Sequence, residues 1–274
     1  MKTVLASLLT AFCCLQTLVA QTPPVPYGNN PAVGKYYDIN GIKLYCEEYG
    51  EGEPLLLLHG NGGSISAFSN NIPYLAKKYR VIAVDSRAQG KSVDDGDNLT
   101  FEMMADDFAA LLDAMHIDSA YVIGWSDGGI DALLLAMRHP EKVRKLVSTG
   151  ANLWPSADAF APGVWDAFTA EHDAGIKKAW TTQAEKNHWK LFLLDWNHPH
   201  IALKDLHAIQ CPSLIVCGDH DMIPVEHTTL IYQNIPKAYL WVVPNSGHAT
   251  LAEHRDEFNR KADEFFSTPF HERK

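Results

Sequence analysis

The sequence predicts an α/β protein whose sheet is mostly parallel, and three observations support this prediction. The chain has 274 residues, of which 46% are hydrophobic, so it is long and apolar enough to bury one large core. Short apolar runs of strand length recur along it and end in glycines or polar residues. Amphipathic helical patterns lie between several of these runs, as helical crossovers require.

The individual elements can be placed in chain order. Residues 35–49 alternate as a hairpin whose tight turn is Asn40-Gly41. Residues 101–115 carry apolar side chains at helical spacing. Buried strands are predicted at 54–58, 80–84, 120–123, 143–147, 212–217 and 238–243, and a final helix at 251–266.

The stretch Gly124-Trp125-Ser126-Asp127-Gly128-Gly129 joins a predicted strand to a predicted helix. A serine flanked by glycines at such a turn fits the G-x-S-x-G nucleophile elbow, because larger neighbours would clash there. The turn exposes the Ser126 hydroxyl and places the backbone N–H of Asp127 at the start of the helix, where a developing oxyanion can be stabilised. A purely structural glycine-rich crossover is the alternative interpretation.

The partners that such a serine needs follow further along the chain. A serine hydroxyl is a poor nucleophile until a base takes its proton, and the base must be oriented by an acid. His248 follows the predicted strand at 238–243, and both Asp219 and Asp221 follow the strand at 212–217. All three lie after the carboxyl ends of strands, where open α/β sheets bind ligands. The order Ser, Asp, His therefore predicts a serine hydrolase site.

These motifs resemble those of the α/β-hydrolase superfamily, over essentially the whole chain after its N-terminal segment. Residues 85–92 resemble the D-x-R-G-x-G-x-S loop of that family, with Ala88 where glycine is usual. The longer match Gly-Trp-Ser-Asp-Gly-Gly-Ile at 124–130 resembles the valacyclovir hydrolase or biphenyl-hydrolase-like branch. The resemblance implies an α/β-hydrolase fold, with a mostly parallel eight-stranded sheet flanked by helices and a helical cap insertion.

The resemblance also implies a role for each residue of the predicted triad. Ser126 would be the nucleophile and His248 the general base. Asp221 matches the acid, because the family spacing is a glycine, two residues and then an aspartate. Asp219 is the competing candidate, and its alternative role is that of a turn residue bonded to nearby backbone.

The oxyanion hole and the substrate contact are expected beside the nucleophile. The backbone N–H groups of Asn61 and Asp127 are the candidates for the oxyanion hole, and His59 is expected to support that loop. In the similar branch, the aspartate after the nucleophile is thought to bind the α-ammonium of amino-acid esters. The Asp127 carboxylate would therefore bind substrate, or it would simply be an acid favoured at a helix start.

The chain divides into four predicted segments: a signal peptide at 1–20, a first part of the core at 21–151, a helical cap at 152–206 and a second part of the core at 207–274. Met1-Lys2, an apolar run and Ala20 have the order of a signal peptide, which predicts a periplasmic or secreted protein without stable membrane insertion after cleavage. Five of the seven tryptophans fall in the cap, and we expect one or two to line the pocket.

Several partners are not expected. The formal net charge of −10 and the lack of a basic run argue against nucleic acid and against an anionic membrane surface. No cofactor or metal is predicted: Asp195, His198 and His200 could suggest a metal site, but Pro199 prevents regular helical spacing. The three cysteines outside the signal segment are expected to be inert thiols. The sequence leaves the oligomeric state open.

The sequence therefore predicts a secreted serine hydrolase that cleaves small carboxylic esters through an acyl-enzyme, with α-amino-acid esters as the sharpest expectation. The same triad would also support hydrolysis of amide, peptide or carbon–carbon bonds. A ligand sensor with a slow hydrolase site is an alternative from another class, and it differs from an enzyme by turning over about once per site.

Overall fold

The computed structural model describes residues 25–271. The predicted signal peptide at 1–20 lies outside the described residues. Within the described range, no helix combines the length and the apolar character that crossing a membrane would require.

One sheet of eight strands forms the centre of the described structure, in the order β1-β2-β4-β3-β5-β6-β7-β8. β1 and β2 are antiparallel, β2 pairs with β4 antiparallel, and every later pairing is parallel. This confirms the predicted α/β-hydrolase sheet. The strands are β1 (Gly34–Ile39), β2 (Ile42–Tyr49), β3 (Glu53–Leu58), β4 (Tyr79–Val84), β5 (Ala120–Trp125), β6 (Val143–Thr149), β7 (Ser213–Gly218) and β8 (Ala238–Val243).

The β1–β2 hairpin turns at Asn40-Gly41, as predicted. Both residues have positive φ, 44° and 85°, and Ile39 pairs directly with Ile42. A two-residue turn with this geometry matches the twist of the flanking strands and favours asparagine followed by glycine.

Helices cover both faces of the sheet. They are α1 (Ile72–Leu75), α2 (Phe101–Ala114), α3 (Asp127–Arg138), α4 (Val164–Gly175), α5 (Gln183–Asn197), α6 (Val225–Asn234), α7 (Thr250–Glu253) and α8 (Arg255–Ser267). The core on one face includes α2, α3 and α6, and the core on the other includes α1 and α8. Alternate leucines of β3 enter the two cores, which explains why this strand is one continuous apolar run.

The predicted final helix at 251–266 is wrong in one respect: it is two helices, α7 and α8. His254 separates them with a non-helical backbone, φ −117° and ψ 39°. Its Nε2 lies 3.0 Å from the backbone oxygen of Asn245, which ties this corner to the loop after β8. Apolar spacing alone does not reveal such a break, because both helices bury the same face.

α4 and α5 lie between β6 and β7, in the interval where the sequence predicts a cap. α5 begins with a capping box, in which Thr182 and Glu185 satisfy each other's backbone N–H groups. Leu191 and Leu194 of α5 are buried and join the core that contains α2 and α3. The boundaries 152 and 206 of the cap stay a prediction.

The three cysteines within residues 25–271 are free thiols. Cys46 and Cys217 are buried, and Cys211 is half-buried. Burial raises the pKa of the Cys46 thiol to about 12, so the reactive thiolate form is scarce at neutral pH.

Candidate active site

The turn between β5 and α3 holds Ser126 in a strained conformation, with φ 58° and ψ −121°. Glycines are required on both sides of it. A Cβ on Gly124 would lie 1.9 Å from the backbone oxygen of Gly128, and a Cβ on Gly128 would lie 2.0 Å from the backbone oxygen of Leu58. The close packing of strand and helix thus explains the glycine spacing, and it leaves the serine at the apex of the turn.

His248 connects Ser126 to an aspartate. Its Nε2 lies 2.9 Å from the Ser126 Oγ, and its Nδ1 lies 2.6 Å from Oδ1 of Asp221. The Asp221 side chain is fully buried, whereas that of His248 is 23% exposed. Asp219, the competing acid, is exposed and accepts instead a hydrogen bond from the backbone N–H of Ser246 at 3.1 Å. The structure therefore brings together Ser126, His248 and Asp221, and it places Asp219 in the neighbouring turn.

Neighbouring residues hold the imidazole in place. Trp125, next to the serine, donates a hydrogen bond from Nε1 to the backbone oxygen of His248 at 2.9 Å. The backbone N–H of Ile223 donates to the same Asp221 Oδ1 at 3.0 Å. Gly150 has φ 68°, and a Cβ there would lie 2.8 Å from Cε1 of His248. Both the acid and the base are thus oriented by contacts outside the triad.

The loop after β3 passes directly against the serine. A Cβ on Gly60 would lie 2.9 Å from the Cβ of Ser126. Asn61 follows Gly60, and Asp127 is the first residue of α3, whose N–H has no partner within the helix. Both predicted oxyanion donors therefore belong to backbone next to the nucleophile, at the positive end of a helix dipole.

His59 supports this loop, in the way the sequence predicts. It is fully buried, and its Nε2 accepts a hydrogen bond from the backbone N–H of Ser86 at 3.1 Å. Its Nδ1–H therefore donates to the backbone oxygen of Gly60 at 2.8 Å. Burial lowers the pKa of His59 to about 4, so the neutral ring links two loops.

Ala88 occupies the position where the similar family usually has glycine, and its φ is 64°. This left-handed conformation normally favours glycine, so the alanine carries backbone strain. Asn187 of α5 donates a hydrogen bond to the backbone oxygen of Ala88 at 2.7 Å. The turn is thus preserved despite the substitution, and it contacts the predicted cap.

The Asp127 carboxyl is buried beside the nucleophile, with only 3% of the residue exposed. The Asn61 side chain donates from Nδ2 to Oδ2 of Asp127 at 2.9 Å and to the backbone oxygen of Leu191, in α5, at 3.1 Å. Burial raises the pKa of Asp127 to about 6. Sequence reasoning assigned Asn61 only a backbone role and missed this link between core and cap.

Asp195 of α5 is a residue to which the sequence analysis gave no role. Its carboxyl shares a hydrogen bond with that of Asp127, and burial together with the Asp127 charge raises the pKa of Asp195. The rings of His198 and His200 are 5.7 Å apart, and residues 25–271 contain no group of three side chains suited to a metal ion. The signal that could have found Asp195 is its spacing: it follows the buried Leu191 by four residues, on the same helix face.

A small cavity joins the nucleophile to the predicted cap. Its volume is about 30 Å³. It is lined by Ser126, Asp127, Gly150, Asn152, Phe160, Phe168, Asp195, Met222, Ile223 and His248. The expectation that tryptophans line the pocket is therefore wrong for this cavity, whose aromatic residues are phenylalanines. Trp165 and Trp196 instead stack on each other, with ring centroids 4.9 Å apart.

Asp131 lies one helical turn after Asp127, and we expect it to destabilise the fold at neutral pH. It is fully buried, and neither carboxyl oxygen has a hydrogen-bond partner among the described residues. Burial and the Asp127 charge raise the pKa of Asp131 well above its ordinary value. The folded state then binds a proton more tightly than the unfolded state, so stability falls as pH rises above about 4.

Asp131→Asn removes this ionisation and should raise the free energy of unfolding by about 1–3 kcal/mol near neutral pH, with a smaller gain near pH 4. Urea unfolding at the two pH values measures the difference. Asp173→Asn is the matched control, because its side chain is 63% exposed. A loss of stability in Asp131→Asn at neutral pH would show that the carboxylate is ionised and partnered.

A mostly parallel eight-stranded sheet, with a serine at the β5–α3 elbow and His248 and Asp221 beside it, is the architecture of an α/β hydrolase. Residues 53–177 match the family model of the alpha/beta hydrolase fold. This match and the sheet topology confirm the predicted α/β-hydrolase fold and the resemblance on which it rested.

Proteins of similar sequence and structure indicate that the chain is a hydrolase. The chain is 29% identical to the serine hydrolase BPHL of Mus musculus, over 90% of this chain and 91% of that protein. It is 28% identical to a 2-hydroxymuconate semialdehyde hydrolase of Pseudomonas sp. (strain CF600), over 87% and 95%. The solved structure of an N-acyl homoserine lactone degrading enzyme is 26% identical, with a TM-score of 0.69 and coverage of 84% and 100%.

Proposed function

We propose that the protein is a serine hydrolase that cleaves small carboxylic esters through an acyl-enzyme. The observation that carries this proposal is the hydrogen-bond chain from the Ser126 Oγ through His248 to Asp221. Ser126 attacks the ester carbonyl while Nε2 of His248 takes its proton, and the backbone N–H groups of Asn61 and Asp127 stabilise the oxyanion. His248 then gives the proton to the leaving alcohol, and a water molecule hydrolyses the acyl-enzyme by the same steps.

Within this class, we propose α-amino-acid esters as the substrates. The Asp127 carboxyl lies buried in the same cavity as Ser126, and no lysine or arginine lines that cavity within the described residues. A carboxylate in a water-poor site favours a ligand that supplies the missing positive charge. Residues 124–130 support the same substrate class, because they resemble the branch in which the aspartate after the nucleophile binds an α-ammonium.

The cavity must widen to accept such a substrate. Its volume of about 30 Å³ accommodates roughly two water molecules. Three of its lining side chains are the apolar groups of Phe160, Phe168 and Met222. We therefore expect these side chains to move when an ester binds, and thereby to exclude water from the acyl-enzyme.

Asp127→Asn tests the substrate class. We expect the wild type to prefer phenylalanine methyl ester over its N-acetylated form, and the variant to lose about 100- to 1,000-fold in kcat/KM on the free amine. The reason is that the amide cannot balance a buried ammonium charge. Steady-state hydrolysis of both esters measures this change.

The N-acetyl ester is the internal control for that experiment. It has no ammonium, so its hydrolysis by Asp127→Asn should change by less than about tenfold. Equal wild-type rates on the two esters would reduce Asp127 to an acid at a helix start and would leave a general esterase.

Carbon–carbon bond hydrolysis is the second candidate. It is favoured by the 28% identity to a 2-hydroxymuconate semialdehyde hydrolase across nearly the full length of that protein. A muconate derivative carries negative charge, which the buried Asp127 would repel. Turnover of that semialdehyde, without turnover of amino-acid esters, would establish the second candidate over the first.

We also propose that the protein acts in the periplasm or outside the cell. This proposal rests on the sequence of residues 1–20, with its positive start, its apolar run and Ala20 before the predicted cleavage point. The mass of the exported protein tests it, because cleavage there makes Gln21 the first residue.

A further inference from the structure

We propose that Asp195 of α5 is the second carboxyl of the ammonium subsite, so that the substrate amine binds between Asp195 and Asp127. This inference rests on the proposed function, because it assumes a cationic substrate. It adds a specificity-determining residue from the predicted cap to a subsite whose other acid, Asp127, belongs to the core.

The geometry of the cavity supports this assignment. Asp195 and Asp127 both line the cavity that contains Ser126 and His248, and their carboxyls are hydrogen-bonded to each other. Asn61 donates to Asp127 and also to the backbone oxygen of Leu191, one turn before Asp195 on α5. An ammonium has three N–H donors, and one oxygen of Asp127 already accepts a hydrogen bond from Asn61. Two carboxyls held at one place match it.

The charges around the pair determine what it does without substrate. Asp131 lies one turn along α3, and His248 lies across the cavity near Asp127. No other charged side chain lines the cavity within residues 25–271. Two adjacent carboxyls with another acid nearby disfavour ionisation of both, so the pair shares one proton in the free site.

Substrate binding then releases this proton. The free site contains one carboxylic acid and one carboxylate, and the incoming ligand carries one positive charge. When the ammonium donates to both carboxyls, the O–H bond of the protonated carboxyl breaks. The proton from this bond passes to solvent. The ammonium keeps its three protons, and the occupied pair has two negative charges with one positive charge between them. Binding is therefore accompanied by the release of about one proton.

Calorimetry on Ser126→Ala tests this proposal, because this variant binds without turnover. The probe is 2-phenylethylamine, whose amine stays protonated near neutral pH, as alkyl amines have a pKa near about 10. Titrations at about pH 6.5, in buffers of different ionisation enthalpy, give the number of protons released. We expect the release of about one proton per bound amine in Ser126→Ala and of close to none in Ser126→Ala/Asp195→Asn. The Kd of the double variant should be about 10- to 100-fold higher.

The controls separate this inference from the proposed function. Asp173 is an exposed acid, so Asp173→Asn in the Ser126→Ala background should leave the proton release and the Kd unchanged. Unchanged binding and proton release in the Asp195→Asn double variant would overturn the role of Asp195 while leaving the amine-binding role of Asp127 in place. Absence of amine binding in every variant would overturn the substrate class as well.

A kinetic measurement supplies a second readout with Ser126 intact. Asp195→Asn should raise KM for phenylalanine methyl ester at least about tenfold more than it raises KM for the N-acetyl ester. A merely structural role would impair the hydrolysis of both esters to the same extent. Asp195→Ser, which removes the carboxyl with a smaller side chain, should give the same split.

Discussion

Replacing Ser126 with alanine is expected to lower kcat on esters by about 10⁶-fold. The hydroxyl is the only group at the elbow that lies within hydrogen-bond distance of Nε2 of His248, at 2.9 Å, among the residues the structure describes. Without it no acyl-enzyme forms, and the oxyanion donors act only on uncatalysed attack by water. Hydrolysis of phenylalanine methyl ester by the purified variant measures the loss.

The fold should tolerate this change. Alanine at φ 58° has the same backbone strain as serine, and the hydroxyl has no other hydrogen bond in the described structure. Ser119→Ala is the matched control: Ser119 lies just before the other end of β5, and its Oγ accepts a hydrogen bond from Arg144 instead. The control should retain full activity. Full activity in Ser126→Ala would disprove the acyl-enzyme, and single turnover by the wild type would favour a sensor.

The order of the fold could be predicted because apolar strands and glycine-rich turns have short-range causes. Residues 124–129 contain both the glycines that allow the tight turn and the nucleophile itself. The break at His254 could not be predicted, since α7 and α8 bury one continuous apolar face. The preference for phenylalanines over tryptophans in the cavity also depends on how α4 and α5 pack, and that packing is a long-range property.

The sequence predicted those site residues that follow directly after a strand. Ser126, Asp221 and His248 each follow a strand of the same parallel sheet, so their convergence follows from topology. The pairing of Asp195 with Asp127 joins two elements that are separated by the whole of β6 and α4. Only its position on the buried face of α5 indicated that this acid points inward.

Asp221→Asn is expected to lower kcat by about 10⁴-fold with little loss of structure. One atom, Oδ1 of Asp221, accepts from the backbone N–H of Ile223 at 3.0 Å and lies 2.6 Å from Nδ1 of His248. If the amide nitrogen of the asparagine takes this position, it donates to Nδ1, and His248 keeps its proton on Nε2 and cannot accept the serine proton. If the amide oxygen takes this position, both hydrogen bonds remain, but no negative charge stabilises the imidazolium that forms during the reaction.

Asp219→Asn is the matched control for this prediction, since both acids follow β7 and differ by two positions. The Asp219 carboxylate accepts a hydrogen bond from the backbone N–H of Ser246, whereas Nδ1 of His248 bonds to Asp221. Replacing Asp219 should therefore change kcat by less than about tenfold. Steady-state ester hydrolysis by the two variants compares them directly. A larger loss in Asp219→Asn would reverse the assignment of the acid. A 10⁴-fold loss confined to Asp221→Asn would show that the reaction depends on the carboxylate that contacts His248 at 2.6 Å.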